Sequence, residues 1–344
     1  APGSQSFYDR ARRRRNRDLR DLLRSQPDVG GILDLAMSRG NLWDAIAVST
    51  ALHAAASKRR AGGAGVDFAL DHRWAAMLSL IRARLGDGEA RNLANNAWSL
   101  ASLACHDLPL FGEIASAVVH RAGELKTQEV SNTCWAFATV KWQNMEVYVR
   151  LASEISFKAK DGVNQDLSNT LWAFATVQHA DIPTLEILTG LAVGRVSDFK
   201  PQELANTLWA FATIGHQHLA LFRAAVPVAI NKRYQLSPQN IANIMWAYAK
   251  LQACPRSGLF PALLGVTIGM MPKHKPQEIS AIAWASAKDD DPSCQRFFDA
   301  AADMCSQRLH EFSPQALAGM VEVFAIVKAN SLVSWETMAM ESLC

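Results

Sequence analysis

Catalytic and metal-binding signatures are what this sequence lacks. Its six cysteines (Cys105, Cys134, Cys254, Cys294, Cys305 and Cys344) never fall as CxxC, and no Cys, His and acid set recurs at ligand spacing. Zinc modules and a disulfide framework are excluded, and a reduced, intracellular protein without metal or other cofactor is expected. No Gly-rich loop opens a helix in a form that would cradle a phosphate. His216 and His218 form an isolated HxH in a turn, and Asp289, Asp290 and Asp291 an acidic turn; neither makes a catalytic set. An enzyme is therefore not expected, nor a small-molecule substrate. No apolar run is long enough to span a membrane. Strand signals are sparse, and no secretory signal is visible. The chain opens at Ala1, with the initiator region removed or not included.

Charge is also scarce outside one stretch. The net charge of +3 hides eight Arg and three Asp in residues 1–24, a contribution of +5, which leaves the remaining 320 residues near −2. The run Arg12, Arg13, Arg14, Arg15 and Arg17 marks residues 1–30 as a basic arm, with Leu19, Leu22 and Leu23 suggesting a short amphipathic helix. Such an arm reads as a solvated tail, a contact to an anionic partner, or the remnant of an Arg-rich targeting region.

What is present in abundance is repetition. PQELANTLWAFATIG at 201–215 recurs as TQEVSNTCWAFATV from Thr127, NQDLSNTLWAFATV from Asn164, PQNIANIMWAYAKL from Pro238 and PQEISAIAWASAK from Pro276. A looser copy starts at Ala90, and a seventh, from Pro314, has Glu322 in place of Trp. The tryptophans Trp98, Trp135, Trp172, Trp209, Trp246 and Trp284 are spaced 37, 37, 37, 37 and 38 apart. A fixed period of this length means stacked supersecondary units. Residues 31–88 read as a degenerate capping repeat with a Gly-rich insertion, Ala51 taking the Trp site, and residues 89–344 as the helical-repeat body.

Each copy predicts a helix A with a broad apolar arc that includes the Trp. Its start is marked by Pro at the first position and by Ser237 and Ser313 as N-caps. Leu125, Phe199, Leu236 and Phe312 precede the cap as staple residues. Glu129, Asp166, Glu203 and Glu278 fall in the first turn, where the macrodipole favours an anion. A second helix B follows each Trp helix, as from Met145 and from His218, after a turn holding Gly215, Pro183 or Pro255.

Three constellations bear on function. The first is a polar face on helix A. Gln128, Gln165, Gln202, Gln239 and Gln277 recur there, as do Asn95, Asn132, Asn169, Asn206 and Asn243. Amides can pair with base edges, or an Asn ladder can tie neighbouring repeats; the second reading is preferred for the Asn column. For Thr133, Thr170, Thr207, Thr139, Thr176 and Thr213, and the variants Asn96, Lys250 and Lys288, exposure and RNA contact are expected. The second is a basic edge at the B-to-A turns: Lys126, Lys158, Lys160, Lys200, Lys232, Arg233, Lys273 and Lys275, which could track phosphates beside helix N-termini. The third is the Trp column, read as buried core in preference to a surface that stacks on bases.

The motif Q-E-L-A-N-T-L-W-A-F-A-T resembles those of the heptatricopeptide and octotricopeptide repeat families, over roughly residues 89–325. The resemblance implies an organellar, right-handed α-α solenoid that binds RNA. The chain ends at Cys344 without the RAP-like domain of related proteins, and the Arg-rich arm is no part of the repeat pattern. The resulting expectation is an all-α solenoid of about seven to eight repeats, binding rRNA or an organellar transcript within a ribonucleoprotein such as the mitoribosome. It would sit with other proteins in the mitochondrion, or alternatively the chloroplast. A protein-binding scaffold is the alternative function.

Overall fold

Helices alternate along the chain in two sets. The structure, a computed structural model, describes residue 14 and residues 17–62, 71–179, 181–253, 257–289 and 293–327. Arg12, Arg13, Arg15, Cys254, Pro255, Asp290, Asp291 and Cys344 lie outside the described residues. The A helices are α2 (Ala45–Arg60), α4 (Ala90–Ser102), α6 (Thr127–Thr139), α8 (Asn164–Thr176), α10 (Pro201–Ile214), α12 (Pro238–Leu251), α14 (Pro276–Ser286) and α16 (Pro314–Val327). The B helices are α1 (Val29–Arg39), α3 (His72–Arg84), α5 (Leu108–Arg121), α7 (Met145–Lys158), α9 (Ile182–Arg195), α11 (Leu219–Asn231), α13 (Leu259–Gly269) and α15 (Ser293–Gln307). Residues 17–25 are helical too, with Leu23 buried and Arg17, Arg20 and Arg24 exposed. No strand occurs among the described residues, so the fold is all-α with the helix-pair stacking of an α-α solenoid.

The chain forms two compact units, Ala1–Asp166 and Leu167–Cys344, with the division inside α8. In the first, α4 packs on α2 and α6, while α3 packs on α1 and α7 on α5. In the second, α12 lies between α10 and α14, α14 against α16, and α9, α11, α13 and α15 pack in succession. Like therefore packs on like, one repeat along. The core of each unit lies between the A and B layers and is built from residues such as Phe111, Phe137 and Tyr148 in the first and Phe211, Phe222 and Tyr248 in the second.

The turns repeat as faithfully as the helices. Each A helix from α4 to α12 ends in a left-handed residue six after the Trp: Ala104, Lys141, Gln178, Gly215 and Gln252. The next N–H then reaches back to the carbonyl two after the Trp, as His216 N to Phe211 O at 3.0 Å and Trp142 N to Phe137 O at 2.9 Å. That is a Schellman cap, which satisfies the last helical carbonyls and reverses the chain. After each of α5, α7, α9, α11, α13 and α15 comes one 3-10 turn, from Ala122–Glu124 through to Leu309–Glu311. The expected staple residues Leu125, Phe199, Leu236 and Phe312 follow these turns and are buried. Ser237 and Ser313 act as N-caps, each Oγ accepting from the backbone N–H three residues on at 3.2 Å. Pro183 differs from its expected place: it lies in the first turn of α9, after the Asp181 cap.

The degenerate first repeat is offset by two residues from the alignment on Ala51. α2 begins at Ala45 with Asp44 as its cap, whose carboxylate accepts from Ala47 N at 2.9 Å. This register puts His53, not Ala51, at the Trp site. Ala51 is fully buried, whereas His53 stacks on Trp98 at 5.0 Å between ring centroids. A polar aromatic stands where the sequence pattern suggested a small apolar residue, because the position lies at the layer's edge and not in its core.

Candidate nucleic-acid interface

Within each unit the interior A helices, α4 in the first and α12 and α14 in the second, lie between two other A helices, so little of them reaches solvent. At about 100° per residue, the positions seven before, three before and four after the Trp fall within about 60° of it. These and the Trp form one stripe. On α10 it is Gln202, exposed, with Asn206, Trp209 and Thr213, all half-buried. On α12 it is Gln239, Asn243, Trp246 and the exposed Lys250. Everything else on these helices from the third helical position to three after the Trp is buried, including Ala210 and Ala247 one residue on.

This geometry corrects two expectations. Thr133, Thr170 and Thr207, two before the Trp, lie about 160° from it and are fully buried. Thr133 Oγ1 donates to Glu129 O in its own helix at 2.7 Å, and Thr207 Oγ1 is buried without a partner. These three face the core and are withdrawn from any RNA surface, as is buried Asn96, which shares their position. The tryptophans differ in the opposite sense: all six are half-buried, not core. In the second unit Trp172, Trp209, Trp246 and Trp284 form a ladder with successive ring centroids 6.4 Å apart.

The Asn column is not the tie between repeats. No hydrogen bond of the Asn132, Asn169, Asn206 or Asn243 side chain is made among the described residues. The tie lies one position earlier, at the small residue four before the Trp. Ser131 Oγ donates to Asp166 O at 2.9 Å, Ser280 Oγ to Ala316 O at 3.4 Å and Ser49 Oγ to Asn92 O at 3.5 Å. The Asn amides thus remain half-buried on the stripe with their hydrogen-bonding capacity unspent. Thr139 and Thr176 return their hydroxyls to Trp135 O and Trp172 O at 2.8 Å, while Thr213 Oγ1 has no partner.

The expected basic edge divides by role. Lys158 Nζ donates to Gly123 O at 3.0 Å and Leu125 O at 2.8 Å and pairs with Glu154 at 2.6 Å. Lys232 Nζ does the same to Ser197 O at 3.0 Å and Phe199 O at 2.5 Å. Arg308 reaches Pro272 O and His274 O, and Arg121 reaches Gly88 O. A cation at the end of a B helix therefore caps the orphan carbonyls of the preceding B-to-A turn. Lys158 and Lys232 are structural clamps, a role hidden in the sequence because the carbonyls they meet lie over thirty residues away. Arg233 is likewise engaged, donating to Ile230 O at 2.8 Å and lying over the Tyr234 ring.

Lys126, Lys200 and Lys275 occupy the N-cap position itself, with exposed side chains. Their backbone N–H groups donate to Glu129, Glu203 and Glu278, each at 2.8 Å. Those carboxylates form half a capping box. Val163 N donates in the same way to Asp166, whose pKa burial raises while this hydrogen bond opposes the rise. Each of these A-helix N-termini is therefore already served by the chain's own anion, and a phosphate approaching there meets a carboxylate. Lys160 and Lys273 are exposed. In the second unit the cations on the stripe are Lys250 and Lys288, the latter 4.8 Å over the Trp284 ring; in the first, exposed Arg91 takes the place seven before Trp98, 3.9 Å from Glu89.

His218 caps α11, its Nδ1 accepting from Leu221 N at 3.3 Å, and stacks on His216 at 6.4 Å. Cys105, Cys134, Cys294 and Cys305 are buried. Burial raises the Cys134 thiol and pushes that of Cys305 up to about 12, so neither supplies a thiolate. No group of His, Cys, Asp and Glu able to hold a metal occurs among the described residues, and no helix among them is long and apolar enough to cross a membrane.

Set against known families, residues 70–334 match the model described as RNA-editing substrate-binding complex 8 protein. No curated protein sequence matches the chain.

Proposed function

We propose that this chain, which belongs to the RNA-editing substrate-binding complex 8 protein family, binds single-stranded RNA along the stripe of its A helices. It does so as a non-catalytic subunit of a mitochondrial RNA-editing assembly, in company with other proteins. The observation that carries the reading is the unspent amide column. In the second unit half-buried Asn169, Asn206 and Asn243 and exposed Gln202 and Gln239 recur on the solvent strip of otherwise enclosed helices, and in the first unit Gln128 and Asn132 hold the same places on α6. Unpaired amides at fixed intervals suit splayed bases, whose edges offer matching donors and acceptors. The family's description supports an editing substrate as the occupant in preference to ribosomal RNA, and its mitochondrial setting leaves the chloroplast alternative without support. The tricopeptide-repeat resemblance contributes the helical-repeat architecture alone.

The test is fluorescence-anisotropy binding of a uridine-rich 20-mer to wild type and to two variants. Asn206→Ala with Asn243→Ala removes amides; Lys250→Gln with Lys288→Gln removes the stripe cations of the second unit. The amide variant is expected to lose affinity at unchanged helicity. The cation variant is expected to flatten the log-affinity against log-salt slope by about 0.7 for each phosphate it no longer neutralises. Unchanged affinity and slope in both would sink the proposal. In that event exposed Phe157 and Val149 on α7, 82% and 58% accessible, would favour a protein scaffold.

A further inference from the structure

The proposed RNA reading leaves open what the tryptophans do. A residue kept merely to fill a core would be buried, yet the indoles of the second unit lie half-buried on the solvent strip. Their spacing is regular: centroids are 6.4 Å apart at each step, with ring planes 30°, 33° and 32° from parallel. That interval is close to twice the stacking rise of bases, roughly 3.4 Å per nucleotide. A strand whose bases were unstacked could therefore place one base per step against an indole without stretching the protein. Asn169, Asn206 and Asn243 stand one helical turn before the rings on the same strip, where base edges would fall. Lys250 and Lys288 stand one turn after, with Lys288 over the last ring. On α12 amide, aromatic face and cation thus follow one another along a single stripe.

We propose that Trp172, Trp209, Trp246 and Trp284 form a base-stacking platform. Single-stranded RNA lies across it at one nucleotide per repeat, with its bases on the indoles and its edges toward the Asn column. The proposal rests on the RNA-binding reading but is separable from it. The platform makes binding tolerant of sequence, since every base has a face to stack, and selective against double-stranded RNA, whose bases are already stacked.

The probes are a uridine 20-mer, an abasic oligonucleotide of the same length, and heparin as a polyanion without bases. Uridine RNA should quench tryptophan fluorescence on binding, while heparin should not, and the abasic strand should bind at least about 10-fold more weakly. Trp209→Leu with Trp246→Leu should weaken uridine binding by roughly 5- to 150-fold for each base left unstacked. Trp209→Phe with Trp246→Phe should recover most of that affinity, and serves as the readout if the Leu variant fails to fold. Equal affinity for abasic and uridine strands, unmoved by the Phe and Leu variants, would reduce the ladder to packing while RNA binding stood. Absence of RNA binding by wild type would overturn the RNA reading as well. Indoles left unquenched by RNA but shielded from acrylamide by a partner polypeptide would make the column a protein-docking face and end the proposal.

Discussion

His274 shows how a single position can depart from its repeat. In four other repeats the residue preceding the A-helix cap is Leu125, Phe199, Leu236 or Phe312, and all of these are buried staples. His274 takes that place at 1% exposure with neither ring nitrogen hydrogen-bonded, and desolvation lowers its pKa from 6.5 to about 4. The folded protein holds the ring neutral where the unfolded chain would protonate it. Its contribution is therefore intact above pH 6.5 and falls by about 1.4 kcal/mol per unit as pH drops toward 4. His274→Phe should remove that part of the acid sensitivity, read as urea midpoints of wild type and variant from neutral pH down to about 4; parallel curves would contradict the assignment. Asn206 and Ser131 make a second contrast. Asn206→Ala should change stability by no more than about 0.5 kcal/mol. Ser131→Ala should cost about 1 kcal/mol or somewhat more, because Asp166 O loses its donor. Equal costs in thermal melts would restore the Asn column as the tie between repeats.

At the scale of the element, helix ends matter more than helix interiors. Five A helices close with a left-handed residue, and Gly215 alone among these lacks a Cβ; Ala104, Lys141, Gln178 and Gln252 adopt φ between 50° and 56°. An L side chain in that region costs about 1–2 kcal/mol relative to the right-handed one. Lys141→Gly, Gln178→Gly and Gln252→Gly should each stabilise by about 0.5–1 kcal/mol after the larger unfolded-state entropy of Gly is deducted, whereas Gly215→Ala should destabilise. Guanidinium midpoints measure both signs, and destabilisation by all three Gly substitutions would show that the Schellman turn is held by something other than local backbone preference. The clamps give the complementary test. Lys232→Met leaves Ser197 O and Phe199 O without their donor and should cost about 1–3 kcal/mol. Lys200→Met, at an exposed cap side chain, should stay within about 0.5 kcal/mol.

For the molecule as a whole, like-on-like packing means that stability is assembled from nearest neighbours. Within the second unit α12 meets α10 and α14, and α14 meets α16. Damage at one turn should therefore stay close to it. Lys232→Met should raise amide exchange in residues 196–199 and α11 well before it does so in α15 and α16. Uniform loss of protection across the unit would mean that it unfolds as one cooperative block. The same arrangement bears on binding. The repeat body carries little net charge, and its A-helix N-termini are occupied by Glu129, Asp166, Glu203 and Glu278. Affinity from this surface must therefore come largely from bases, with a shallow salt slope unless the Arg-rich arm takes part.

The period of 37, the helix starts, the staples and the absence of strands among the described residues were all legible in the sequence, because periodicity and capping are local properties of a chain. The all-α stack followed from them. Which residues of helix A face solvent was not legible in the same way. A hydrophobic arc read from one helix assumes a single buried side, whereas an A helix lies between two others and keeps only a narrow strip open. That is why Thr207 is buried and Trp209 half-exposed, against their side-chain polarity. The clamping by Lys158 and Lys232 and the register of His53 were likewise set by contacts between repeats, over distances in sequence that no local pattern encodes. The chemistry of the stripe was written in the sequence; its exposure was decided by what the tertiary structure stacks on either side.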